Sequence, residues 1–117
     1  MIVSNVNLTK RVIDTVNTTE EASPEKVMQA ICRHFKIHPK HVNSENRKAD
    51  AVYPRQLYFY FLRKRTRLTF EQIGNTLTNK KSHGTVMYSI KRINDISMYA
   101  DVRKDISKVH KKLNCLI

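Results

Sequence analysis

Two helix signals around a short basic break, between Thr69 and Ile93, constrain this chain most. The stretch reads TFEQIGNTLTNKKSHGTVMYSIKRI. Thr69-Phe70-Glu71-Gln72 is a capping-box pattern, with Thr69 as the cap and Gln72 reaching back to it. Phe70, Ile73 and Leu77 then supply one apolar face. Thr78 to Lys81 break the pattern, and Ser82 caps a second, longer helix. Val86, Ile90 and Ile93 follow at spacings of four and three, which is one helical face. A short helix, a tight break and a longer helix opening on small polar residues is a helix-turn-helix layout. Such a second helix fits a DNA major groove and offers its first turn to base edges.

The flanking segments also read as helices. Ser23-Pro24-Glu25 starts one, with a cap, a proline in the first turn and an acid at the positive end of the dipole. Val27, Ile31 and either Ala30 or His34 form its stripe, Phe35 and Ile37 close it, and Pro39 stops it at or before His38. Residues 39–50 read as a polar surface loop with one helical turn near Lys40 to Val42. Pro54-Arg55-Gln56 then opens a helix through the apolar run Leu57 to Leu62. Tyr58, Phe59, Tyr60 and Phe61 also favour strand, but the proline in front and Arg63, Lys64, Arg65 and Arg67 behind decide for a buried central helix. Val102, Ile106, Val109 and Leu113 mark the last helix. The expectation is an all-α bundle of five or six helices over residues 23–117, preceded by an arm or short helix over residues 1–22.

Charge gives the fold a partner class. The chain has 117 residues and a formal charge of +12. Residues 1–23 hold two basic and three acidic groups, so the excess lies in residues 24–117, with twenty basic and seven acidic. A polyanion suits such a body, because each phosphate contacted releases condensed counterions. Two glycines, Gly74 and Gly84, are too few for a phosphate-cradling loop or a dinucleotide fingerprint. No ATP, NAD or other cofactor is expected. No paired carboxylates or Ser-His-Asp arrangement is legible, so no enzyme is expected. Cys32, His34, His38 and His41 are ligand-type residues, but Pro39 and the two-residue offset of Cys32 and His34 make them diverge, which argues against metal. Cys32 and Cys115 lack metal or redox spacing and read as reduced thiols. No run is long enough to span a bilayer, and the N-terminus lacks the layout of a signal peptide. A cytoplasmic, nucleoid-associated protein is expected.

With these residues placed, Ser44 to Ile93 resembles the C-terminal DNA-binding domain of the bacterial replication initiator DnaA. The marks are Arg47, Pro54-Arg55-Gln56, Gln72-Ile73-Gly74 and Ser82-His83-Gly84-Thr85-Val86. Weaker matches extend from about Ser23 to about Leu113. The resemblance implies a helical bundle like the Trp repressor and DnaA domains, free-standing here, that binds double-stranded DNA. It implies that Arg47 enters a minor groove, that Arg55 and Gln56 approach DNA at a helix N-terminus, and that His83 and Thr85 face the major groove. Lys48, Lys80, Lys81 and Ser82 complete the candidate surface. In the family pattern, Asp-His-Thr-Thr-Val, an acid stands where this chain has Ser82 and a threonine where it has Gly84. Two competing classes remain: an interaction module, with a second copy or a replication protein as partner, and a nonspecific nucleic-acid binder.

Overall fold

A computed structural model describes residues 22–116, and within them the fold is entirely helical. The N-terminal arm expected over residues 1–22 lies, apart from Ala22, outside the described residues. Six helices follow: α1 Pro24–Phe35, α2 Pro39–Val42, α3 Ala49–Arg65, α4 Phe70–Asn75, α5 His83–Ile96 and α6 Ala100–Leu116.

The caps read from the sequence are formed. Ser23 Oγ accepts from the Lys26 N–H at 3.2 Å. Thr69 Oγ1 accepts from Gln72 N at 3.1 Å while Gln72 Oε1 accepts from Thr69 N at 2.9 Å, the reciprocal capping box. Helix α1 ends at Phe35, where Lys36 turns left-handed with φ 58. That turn closes the helix three residues ahead of Pro39.

One boundary differs from the sequence reading. Helix α3 begins at Ala49, so Pro54 lies inside it rather than in its first turn. Residues 49 and 50 are therefore helix, not loop. No side chain caps this start, because Lys48 stands at the cap position without a side-chain bond. Pro54 is buried, and its missing N–H leaves the carbonyl of Asp50 without its usual intrahelical donor.

Helix α3 is the centre of the bundle. Leu57, Tyr58, Phe59 and Leu62 are at most 1% exposed, and Tyr60 and Phe61 are buried beside them. The aromatic run is core. Each such side chain contributes ~1.5–3 kcal/mol on burial. Tyr58 satisfies its buried hydroxyl against Thr76 Oγ1 at 2.7 Å, which joins α3 to the end of α4. Helices α1 and α5 both pack on α3, α4 packs on α5, and α6 packs on α1. Val27, Ile31, Ile73, Leu77, Val86, Ile93, Val109 and Leu113 fill the space between them.

A polar tie holds α6 to its neighbours. Asp105 accepts from Tyr53 Oη at 2.7 Å and stands 2.7 Å from His34 Nε2, so α1, α3 and α6 meet at one carboxylate. Burial first, and then Asp105, push the Tyr53 phenol well above its ordinary value. The fold therefore favours the neutral phenol. That stability is fully present below pH ~10, the ordinary tyrosine value, and is lost as pH rises toward the raised folded value. Urea titrations at pH 8 and pH 11 are expected to show a steeper alkaline loss in the native chain than in Tyr53→Phe, whereas equal losses would remove Tyr53 as a cause.

Candidate nucleic-acid interface

Between α4 and α5 the chain makes its turn against Gly74. The Lys81 N–H donates to the Gly74 carbonyl at 3.1 Å. A Cβ on Gly74 would stand 2.1 Å from the Lys81 carbonyl oxygen, so this approach of backbone to backbone requires glycine. The turn delivers Ser82 as the cap of α5. Its Oγ accepts from the Thr85 N–H at 3.2 Å and donates to Thr85 Oγ1 at 3.0 Å. Val86, Ser89 and Ile93 face inward, and Ser82 to Thr85 are all exposed. The first turn of α5 thus projects from the bundle, with free backbone N–H groups and the positive end of the helix dipole.

The loop ahead of α3 stands across from it. Arg55, 7% exposed, does not point outward from a helix N-terminus. Its Nε donates to the Val42 carbonyl at 2.8 Å, Nη2 to Ser44 at 2.7 Å, and both Nη atoms to Asn46 at 3.3 Å. Burial lowers its pKa, yet a guanidinium starts so far above neutrality that it stays charged. Arg55 is thereby a clamp that shapes the loop carrying Arg47. Asn43 Oδ1 also accepts from the Thr78 N–H at 2.8 Å, which ties this loop to the turn of the motif.

The result is a cleft of about 390 Å³ between the loop and α5. Arg47, Arg55, Gln56, Lys81 and Thr85 all line it, so residues up to 38 positions apart share one surface. Arg47 is exposed and its side chain has no partner among the described residues. Lys48 and Lys80 are exposed, on the cap of α3 and in the turn, each next in sequence to a residue of the cleft. His83 sits outside the cleft, with its ring 5.9 Å from that of Phe70. Phe70 also carries Arg63, whose guanidinium carbon is 4.2 Å from the ring centre. Arg63 thus does more than complement the dipole of α3. Lys91 is paired with Asp95 at 3.0 Å, and Arg92 is exposed. The sequence reading missed Tyr88 and Glu45 as cleft residues. Tyr88 was within reach, since it follows Gly84 by four residues and shares its face.

The ligand-type residues of α1 and α2 have other uses. His34 meets Asp105, His38 Nδ1 accepts from Lys40 N at 3.0 Å, and His41 lies 3.8 Å from Asp50. Among the described residues no three His, Cys, Asp or Glu side chains converge as a metal site, and no helix is long and apolar enough to cross a membrane.

A family model described as the bacterial dnaA protein helix-turn-helix matches residues 24–93. The chain belongs to the DnaA helix-turn-helix family. Its relatives include the chromosomal replication initiator protein DnaA of Mycoplasma pneumoniae, 31% identical over 107 residues, which is 90% of this chain and 24% of that protein. The DnaA of Thermus thermophilus is 32% identical over 77 residues, covering 66% of this chain and 17% of its own length. That of Mycoplasma genitalium is 37% identical over 70 residues, covering 60% and 16%. The chain therefore spans a quarter or less of each of these DnaA proteins. What it shares with them is the helix-turn-helix, a non-catalytic domain whose type implies DNA binding. Two positions depart from the DnaA pattern set out above. Ser82 still caps the helix, as an acid would. A Cβ on Gly84 would enter open space, with Ser82 Oγ 4.0 Å away as its one neighbour beyond the local backbone, so packing does not demand a glycine there.

Proposed function

We propose that this protein binds double-stranded DNA with sequence preference, seating the first turns of α5 in the major groove and Arg47 in the adjacent minor groove. The observation that carries this reading is the cleft, which sets an unpartnered Arg47 opposite the exposed first turn of a groove-sized helix. Lys81 in the cleft and the exposed Lys48 and Lys80 are available to phosphates, and Gln56, Ser82, His83 and Thr85 offer hydrogen bonds. Its relatives are named for replication initiation. That kinship supports a role in replication or transcription control, by occupying initiator-like sites in the bacterial cytoplasm.

Selection of bound duplexes from a random library at physiological salt is the test. An enriched motif is expected. Arg47→Ala is expected to weaken binding to it by about 10- to 100-fold and to reduce the salt slope by about one contact. Absence of any motif, with binding that fades steeply as salt rises, would leave only a nonspecific polyanion binder. A second reading, docking of a replication protein or a second copy, has Met98 and Tyr99 in its favour, 66% and 61% exposed at the corner between α5 and α6. It predicts partner binding that survives alanine at Arg47 and His83.

A further inference from the structure

Isolated apolar side chains on a surface are ordinary. Tyr88 is set apart by its place. It is 65% exposed, and it lines the cleft with Arg47, Lys81 and Thr85. Its hydroxyl has no hydrogen-bond partner among the described residues. Val86, Ser89 and Ile93 define the inward face of α5, and at about 100° per residue Gly84 lies opposite them. The outward centre of the first turn is therefore bare backbone. Helical side chains lean toward the N-terminus, and Tyr88 lines the cleft beside Thr85 of that first turn, on the flank next to Gly84. It is the more exposed of the two large side chains, Met87 and Tyr88, that follow Gly84 by one turn.

We propose that Tyr88 is a base-reading residue of α5 and that it recognises thymine through its 5-methyl group. This rests on the DNA-binding reading above and says what that site reads. In the major groove only thymine presents a methyl, and an apolar surface is what distinguishes it. The absent side chain at Gly84 lets a base edge approach the helix, and the flat face of Tyr88 covers the methyl from one side. The phenol hydroxyl remains available to a base or phosphate oxygen. None of this involves charge, so Tyr88 acts on discrimination and leaves the counterion term untouched.

The experiment uses the duplex enriched by the native chain, with each thymine replaced in turn by uracil, which lacks only the methyl. Affinities are measured for the native chain, Tyr88→Phe and Tyr88→Ala over a range of salt. The native chain and Tyr88→Phe are expected to lose about fourfold at one thymine, the worth of one buried methyl. Tyr88→Ala is expected to lose nothing there, to show no preference at that position in a repeated selection, and to keep the native salt slope. Thermal melting checks that the exposed ring is not needed for folding. Tyr88→Ala with the native motif and the native uracil penalty would overturn the assignment while leaving DNA recognition standing. A native chain that enriches no motif would overturn both.

Discussion

Gly74→Ala is expected to be the most destructive small substitution in this protein. The added methyl would lie 2.1 Å from the Lys81 carbonyl oxygen, 3.1 Å from its carbon and 3.3 Å from Val86 Cγ2. The nearest obstacle is backbone, so no rotamer change relieves it. The turn must open, and the bond from Lys81 N to Gly74 O lengthens with it. A loss of about 3 kcal/mol is expected in urea denaturation, at the upper end for overpacking. Gly84→Ala is the matched control. Its methyl enters open space in an exposed helical turn, so a gain of up to about 1 kcal/mol is expected from helix propensity alone. Equal midpoints for the two variants would show that the turn does not need its close approach.

The second large effect is expected at Arg55. Arg55→Ala removes a buried cation and leaves the carbonyls of Val42, Ser44 and Asn46 without their donor. The expected destabilisation is about 3 kcal/mol, since hydrogen bonds from a charged group are among the stronger ones. Arg55→Lys should restore little, because one ammonium on a flexible stem cannot reproduce the forked set of donors. The decisive measurement is amide hydrogen exchange over residues 43–48. Faster exchange there, together with weaker DNA binding under conditions where the variant is folded, is expected of a clamp. Native exchange in a variant that still loses DNA affinity would make Arg55 a contact instead.

The fold was legible wherever a local signal had a local cause. Ser23 with Pro24, Thr69 with Gln72, and Ser82 each cap the helix they announce, because a cap is an interaction between residues three apart. The spacing of Val86, Ile90 and Ile93 likewise placed the inner face of α5. The start of α3 was not legible. Nothing caps it, and Pro54, a common first-turn residue, instead lies buried in the interior of the helix. Tertiary packing of Ala51 and Pro54 outweighed the local preference. The candidate site divides in the same way. Ser82, His83 and Thr85 followed from the motif itself. Arg55 did not, since the sequence shows an arginine near a helix start but not the three carbonyls folded over it. Tyr88 did not either, since an aromatic on a helix is more often core, and only the folded chain shows this one exposed in the cleft.

The clamp at Arg55 and the bond between Asn43 and Thr78 also have a thermodynamic meaning. Together they fix the Arg47 loop against both α3 and the turn before any ligand arrives. Ordering a loop costs conformational entropy, and a disordered arm would owe that cost at each encounter. Here it is settled once, on folding. The two sides of the cleft are preorganised, and in the proposed mode the phosphate strand between the two grooves meets a gauge of set width rather than a hand that closes.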